Sequence, residues 1–257
     1  MMTNRRQAAK SQAMSEKTTT LITGAGKRIG AGIARHLAGR GHDLVLHYHT
    51  SKDEAESLAA QLRGEGAAVT LVQANLEDVN SLADFWQGLP PCTNIIHNAS
   101  RYTRDKLADF SVNDLRAHMA VNFEAPLVLT QGFMAQLPAG VAGNVVVLGD
   151  DALGWSISPE FFSYAVSKHA WVSIIELLAA AVAPRARANV IALAPTLPAA
   201  NDPDGMFARL AERAPLKRTG DVADVLAAVD YLLAAVGTTG QVLHLGNGMG
   251  SAIKRGA

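Results

Sequence analysis

The chain has 257 residues, of which 49% are hydrophobic, and its 23 lysines and arginines are balanced by 23 aspartates and glutamates. This length and composition suffice for one domain with a substantial core, and the balanced charge gives no reason to expect a nucleic-acid-binding or membrane-binding surface. No apolar run approaches the length of a membrane span. The single cysteine, Cys92, excludes an internal disulfide and fits a reducing, cytoplasmic location.

The predicted elements alternate between strands and helices. Residues 1–17 are polar and lack the apolar stretch of a signal peptide, so we expect a disordered leader, in which Met14 could serve as an alternative start. One domain covers residues 18–257. In chain order its pattern predicts strand Thr18–Thr23, helix Arg28–Arg40, strand Leu44–His47, helix Ser51–Arg63, strand Val69–Val72, helix Asp78–Trp86, strand Asn94–His97, helix Val112–Gln136, strand Asn144–Leu148, helix Glu160–Val182, strand Asn189–Leu193, helix Asp221–Ala235 and strand Gln241–Leu245.

Strands that alternate with helices indicate βαβ units and a parallel sheet with helices on both faces. The predicted fold is therefore α/β, a single-domain Rossmann fold with a doubly wound parallel sheet of about seven strands. The segment from Pro195 to Pro215 is rich in proline, aspartate and alanine, and we expect it to be a lid with a short helix over the substrate site.

A glycine-rich turn, Thr23-Gly24-Ala25-Gly26-Lys27-Arg28-Ile29-Gly30, joins the first strand to the first helix. Small residues there let the backbone approach a pyrophosphate, and the helix amino terminus attracts negative charge. The alternative is an ordinary tight turn that needs glycine for its backbone geometry. The position of the turn in the first βαβ unit favours dinucleotide binding.

The end of the second strand indicates which dinucleotide binds. NAD sites usually carry an acid here for the ribose 2′-hydroxyl. This chain has His47-Tyr48-His49-Thr50-Ser51-Lys52, with no acid before Asp53 and with Lys27 in the preceding turn. These side chains favour a 2′-phosphate, and hence NADPH. A metal site built on His47 and His49 is the alternative, but no cluster of further ligands is evident, and we predict no metal.

Tyr164 and Lys168 are four residues apart on a predicted helix and share one of its faces. An ammonium near a phenol favours proton exchange by the phenol and can hold a ribose hydroxyl. The pair alone is a common accident, but it occurs here in a chain that also has the glycine turn.

Together these motifs resemble the short-chain dehydrogenase/reductase family over nearly all of Thr18–Met249. The turn matches the family's glycine motif at Gly24 and Gly30, with Arg28 in place of its middle glycine, and His97-Asn98-Ala99-Ser100 and Ala194-Pro195-Thr196 match two further segments. The resemblance implies a catalytic Asn122 beside Tyr164 and Lys168, and a homotetramer. It implies that NADPH contacts Gly24, Lys27, Arg28, Ile29, Gly30, His47, Tyr48, His49, Thr50, Ser51, Asn75, Leu76, Asn98, Ala99, Ser100, Tyr164, Lys168, Pro195 and Leu197.

Asp151 stands thirteen residues before Tyr164, where most members of the family have serine. With Arg28, Ser100 and the His-Tyr-His strand, it makes the chain similar to the pteridine reductase and dihydromonapterin reductase branch, although Thr50 stands where protozoan members have arginine. The resemblance implies that a pterin contacts Arg28, Ser100, Tyr102, Asp151 and Tyr164.

A carboxylate at position 151 should raise the pKa of the phenol, which suits proton donation. The prediction is that NADPH reduces a 7,8-dihydropterin (dihydromonapterin or dihydrobiopterin), with hydride to C6 and a proton to N5 through Tyr164 or a water held by Asp151. The alternatives are a carbonyl or 3-oxoacyl reductase of the same fold, which Arg28 and Asp151 disfavour, and a catalytically silent NADP-binding regulatory protein.

Overall fold

A computed structural model describes residues 18–151, 159–197 and 206–250. The predicted leader, residues 1–17, lies outside the described residues, as does the part of the predicted lid between 198 and 205.

Seven parallel strands form one sheet in the order β3-β2-β1-β4-β5-β6-β7. This order and direction confirm the predicted single-domain, doubly wound Rossmann fold. The strands are β1 (Thr19–Ile22), β2 (Asp43–Tyr48), β3 (Val69–Gln73), β4 (Asn94–His97), β5 (Gly143–Asp150), β6 (Ala186–Leu193) and β7 (Val242–His244).

The helices lie on both faces of the sheet. They are α1 (Arg28–Gly39), α2 (Lys52–Gly64), α3 (Val112–Met119), α4 (Ala125–Gln136), α5 (Phe162–Val182), α6 (Met206–Arg213) and α7 (Val222–Ala234). Two predicted helices differ in the structure. The predicted Val112–Gln136 helix is interrupted by a π-helical turn, Ala120–Glu124, and the predicted Asp78–Trp86 helix is a 3-10 helix, Val79–Asp84.

Two apolar layers hold the sheet between the helices. On one face, Ile95 and Val145 pack with Phe133 of α4 and Trp171 of α5. On the other face, Ile96 and Val146 pack with Ile33 of α1 and Val229 of α7. Successive strand residues point to opposite faces, so strands covered on both sides must be apolar throughout, which explains the continuous apolar runs of the sequence.

Helix α5 corrects one expectation about apolar runs. Its 21 residues are long and apolar enough to cross a membrane by length and composition alone. However, Trp171, Ile175, Ala179 and Val182 of this helix are buried in the core against the sheet. Packing inside the domain therefore accounts for the apolar residues on one side of the helix, whereas its Val166, Val172 and Leu177 are exposed.

Two buried histidines lie at the carboxyl ends of β2 and β4, the strands on either side of β1. His47 is the penultimate residue of β2 and His97 is the last residue of β4, and each is 2% exposed. Burial lowers the pKa of His47 to about 4 and that of His97 to about 3, in the latter case with a contribution from the nearby charge of Lys168. Both side chains are therefore neutral in the folded protein at neutral pH.

We expect these two histidines to make the fold acid-sensitive. Their pKa values in the folded state lie below the value of 6.5 for an exposed histidine. The unfolded chain thus binds more protons as the pH falls. The free energy of unfolding that the two neutral rings contribute is fully present above pH 6.5. It is lost as the pH falls towards 4 for His47 and towards 3 for His97. Between about pH 7.5 and pH 5, each should cost about 2 kcal/mol of unfolding free energy.

Urea unfolding at both pH values measures this loss. His97→Asn should remove about half of it, and His49→Asn, which changes an exposed histidine, should leave it intact. An identical pH dependence in His97→Asn would contradict the assignment.

Candidate active site

A cleft of about 600 Å³ opens at the carboxyl ends of β1, β2 and β4. This is where the strand order reverses, the usual ligand site of an open parallel sheet. Predicted site residues line most of it: Gly24, Lys27, Arg28, Ile29, Gly30, His47, His49, Thr50, Ser51, Asn75, Leu76, Asn98, Ala99, Ser100, Tyr164 and Lys168.

The glycine turn packs closely against the end of β4. Gly24 has a φ of 63°, and a Cβ on it would lie 3.0 Å from the Cα of Ala99. A Cβ on Gly30 would overlap the carbonyl oxygen of Gly24 and lie 2.6 Å from the amide nitrogen of the Asn98 side chain. That Asn98 amide donates to the carbonyls of Thr23 and Gly24 at 2.8 and 2.9 Å. Glycine is therefore required at both positions.

The turn also presents the amino terminus of α1 to the cleft. Lys27 occupies the N-cap position but makes no side-chain capping hydrogen bond, and the first turn contains no acid. Ile29 and Gly30 of that turn line the cleft. An uncapped helix terminus whose first turn contains no acid fits a pyrophosphate.

Arg28 adopts a backbone conformation that favours glycine. Its φ is 53°, in the left-handed region, and its side chain lines the cleft. A non-glycine residue there costs about 1 kcal/mol or more. The chain thus keeps the backbone path of a glycine and adds a cation to the cleft.

His47 supports the turn rather than presenting a free ring to the cleft. Its Nδ1 accepts a hydrogen bond from the Gly24 backbone N–H at 3.1 Å, so its Nε2 carries the proton and donates to the Ala74 carbonyl at 3.1 Å. The low pKa of the ring keeps this pattern intact at neutral pH.

The end of β2 fits a 2′-phosphate. His49, Thr50 and Ser51 line the cleft together with Lys27 of the turn. The carboxylates that follow, Asp53 and Glu54, belong to the first turn of α2. Hydroxyls and a cation therefore stand where an NAD site would place its acid.

Asn122 positions two other parts of the site. Its side-chain oxygen accepts from the Arg101 backbone N–H at 2.8 Å and from the Ser100 hydroxyl at 3.2 Å, and its amide nitrogen donates to the Ser167 hydroxyl at 2.9 Å. The indole of Trp171 donates to its backbone carbonyl at 2.7 Å. Asn122 thereby ties the segment after β4 to α5, which carries Tyr164 and Lys168.

The phenol of Tyr164 donates a hydrogen bond to the Asp150 carboxylate at 2.8 Å. The predicted partner was Asp151, which is 3% exposed and accepts from His244 at 2.6 Å. A Cβ on Gly246 would overlap the Asp151 carboxylate, so this acid is packed against the segment after β7. Of the two acids it is therefore Asp150 that contacts the phenol, because consecutive residues leaving a strand point to opposite sides. A catalytic role for Asp151 stays a prediction.

Burial raises the pKa of the Tyr164 phenol well above its usual range, and the charge of Asp150 raises it further. Burial lowers the pKa of the Lys168 ammonium to about 8, against an opposing effect of Asp150. The ammonium donates to the Leu148 carbonyl at 2.9 Å. Tyr164 therefore holds its proton at neutral pH, which suits donation to a substrate.

An aromatic cluster lies beside the phenol. Tyr102 is 57% exposed; its ring stacks on Phe161 at 4.4 Å between centroids and meets the Tyr164 ring edge-on at 4.7 Å. Sequence reasoning singled out Tyr102 and missed Phe161, three residues before Tyr164. Its position just before Phe162, where the helix that carries Tyr164 begins, could have identified it from the sequence.

Other predicted contacts lie away from the cleft lining. Tyr48 is buried at the end of β2, Pro195 lines a separate small cavity with Gly220, and Leu197 is half-buried. The cleft also has lining residues that the sequence reasoning missed: Glu77, Arg101, Val121, Leu148, Gly149 and Leu193.

We expect Arg28→Gly to separate stability from binding. Relief of the left-handed backbone should raise the unfolding free energy of the cofactor-free protein by about 0.5–1 kcal/mol. Loss of the cation from the cleft should weaken NADPH binding about tenfold. Urea unfolding and fluorescence titration measure the two effects. Arg28→Lys keeps the charge and the strained backbone, so it should not be stabilised. A less stable Arg28→Gly variant, or unchanged NADPH affinity, would refute this view of Arg28.

Comparisons with known proteins identify similar reductases, some of them solved with NADP or NADPH. A family model described as enoyl-(acyl carrier protein) reductase matches residues 24–250. A crystal structure of FolM alternative dihydrofolate reductase 1 from Brucella suis in complex with NADP superposes with a TM-score of 0.82, at 33% identity, over 91% of this chain and 95% of that one.

Two further matches are more distant. A blue fluorescent protein from a metagenomic library, solved with NADPH, has a TM-score of 0.81 at 26% identity and covers 90% of this chain and 97% of its own. An oxidoreductase of Mycobacterium tuberculosis described as uncharacterized is 28% identical over 89% of this chain and 90% of its own length. With the fit of the cleft, the complexes confirm NADPH as the cofactor, and the chain belongs to the short-chain dehydrogenase/reductase family of NADP-dependent oxidoreductases.

Proposed function

We propose that the protein uses NADPH to reduce the C=N bond of a 7,8-dihydropterin. The observation that carries the proposal is the hydrogen bond from the Tyr164 phenol to the Asp150 carboxylate. A ketone reductase needs a neutral donor beside its phenol to hold the carbonyl oxygen. A carboxylate there would repel the negative charge that develops on that oxygen, whereas it accepts hydrogen bonds from a nitrogen-rich ring.

The reaction adds a hydride and a proton across one double bond. When bound, NADPH supplies the hydride, which C6 of the dihydropterin accepts. The proton for N5 comes from the Tyr164 phenol, whose high pKa keeps it protonated. Asp150 is in direct contact with the phenol and can relay the replacing proton from solvent.

Three side chains are suited to hold the substrate. Arg28 and Ser100 both line the cleft. The exposed ring of Tyr102 beside Tyr164 offers a face on which a flat ring can stack. Asn122 fixes Ser100 through its side-chain oxygen and acts as a positioning residue.

The similarity to FolM alternative dihydrofolate reductase 1 supports a substrate of the pterin or folate class. Dihydromonapterin and dihydrobiopterin are the proposed substrates, with dihydrofolate as a side substrate. The homotetramer and the cytoplasmic location stay predictions. Val166, Val172 and Leu177 of α5 are exposed apolar residues that a second copy could cover.

A substrate panel tests the proposal. Loss of NADPH absorbance should accompany addition of dihydromonapterin or dihydrobiopterin, more slowly dihydrofolate, and not a simple ketone or a 3-oxoacyl thioester. A reaction with the ketone or thioester alone would select the carbonyl-reductase alternative. Cofactor binding without turnover of any compound would favour the alternative of a catalytically silent regulatory protein.

The second test compares the pH dependence of kcat/KM in two variants. Asp150→Asn removes the charge that helps to keep the phenol protonated, so the alkaline limb of kcat/KM should shift to lower pH, and kcat should fall about 100-fold. In Asp151→Asn, where the altered side chain pairs with His244, the limb should stay at the wild-type pH. A shift in Asp151→Asn and none in Asp150→Asn would return the role to Asp151.

A further inference from the structure

Lys27 of the glycine turn already has an anionic partner. Its ammonium lies 2.5 Å from the Glu54 carboxylate, with the two side chains 55% and 48% exposed. The hydrogen bond from Lys27 lowers the pKa of Glu54, so the carboxylate is fully charged at neutral pH. The same Lys27 lines the cleft beside His49, Thr50 and Ser51.

Glu54 also occupies the amino terminus of α2. The helix begins at Lys52 after the N-cap Ser51, and Asp53 and Glu54 are the acids of its first turn. A helix terminus attracts negative charge over its first turn only. The turn and the helix start are in contact, since a Cβ on Gly26 would lie 2.7 Å from the Ser51 hydroxyl oxygen. The carboxylate therefore uses both positive features that a 2′-phosphate would seek.

We propose that Glu54 is a specificity-determining residue that limits the preference for NADPH over NADH by competing with the 2′-phosphate for Lys27. The phosphate carries close to two negative charges at neutral pH. To bind Lys27 it must approach the Glu54 carboxylate or displace it. NADH has a hydroxyl in its place and is affected far less. Glu54 thus lowers the affinity for the phosphorylated cofactor selectively.

The competition has a use in turnover. An oxidoreductase must release NADP⁺ after each reaction, and the 2′-phosphate is the same in both redox forms. A built-in anion that returns to Lys27 as the phosphate leaves speeds release, at the cost of weaker binding. The ion pair therefore lowers the affinity for the cofactor and speeds the release of NADP⁺.

The test compares two glutamates of one helix. Glu54→Gln should tighten NADPH binding about threefold to fivefold, the upper part of the range that an exposed charge pair supports, and change NADH binding less than about twofold. Glu56→Gln is the matched control, because Glu56 lies two residues further along α2 and pairs with Lys52 at 3.7 Å. It should change neither affinity by more than about twofold. Fluorescence titration of both cofactors at low ionic strength gives the dissociation constants.

Salt separates electrostatic competition from a structural effect. The gain in Glu54→Gln should shrink at high ionic strength, because exposed charges are screened. Weaker or unchanged NADPH binding would overturn the proposal, since Glu54 would then hold Lys27 in place or have no influence. An equal gain for NADH, or a gain that survives high salt, would overturn it too. Binding alone is measured, so the outcome is independent of the proposed pterin reaction.

Discussion

The close approach of two backbone segments organises the site. The turn after β1 touches the segment after β4 so tightly that Gly24 and Gly30 have no room for a side chain. Asn98 and His47 bind this turn from two sides, through hydrogen bonds to its carbonyls and to its N–H. Because the turn is fixed, the amino terminus of α1 points into the cleft, and Arg28 is held where its side chain reaches the same space. The cofactor site and the substrate side of the cleft thus share one rigid support.

Charge is distributed along the cleft in two groups. At the glycine turn, Lys27 and Glu54 form an exposed ion pair. At the catalytic end, Tyr164, Lys168 and Asp150 interact in a buried environment, where desolvation raises the pKa of the phenol and lowers that of the ammonium. Water and salt screen the first group much more than the second. We therefore expect salt to affect the charges at the cofactor's 2′-phosphate site more than the protonation of the catalytic groups.

Sequence reasoning reached the fold and most of the cleft, because both follow from local patterns. Alternating apolar runs and helices predicted the sheet, and the turn from Gly24 to Gly30 predicted the cofactor site. Features that depend on side-chain direction were missed. Asp150 and Asp151 are adjacent in the chain, and only the alternation at the end of β5 decides which one meets Tyr164. Phe161 was missed because its importance comes from Tyr102, a contact between segments far apart in the chain.

The π-helical turn at Asn122 couples this residue to α5 through its main chain. Pro126, four residues later, has no N–H, so it cannot donate to the Asn122 carbonyl as an ordinary helical residue would. The indole of Trp171 donates to that oxygen instead. The carbonyl that lacks its usual helical donor thus accepts a hydrogen bond from Trp171 of α5, about one helical turn beyond Lys168. Trp171 is fully buried and remote from the cleft lining, yet it fixes the distance between the helix that orients Ser100 and the helix that carries the phenol. A core residue of this kind would be read as packing alone, although its one polar atom acts with the Asn122–Ser167 hydrogen bond to align the two helices.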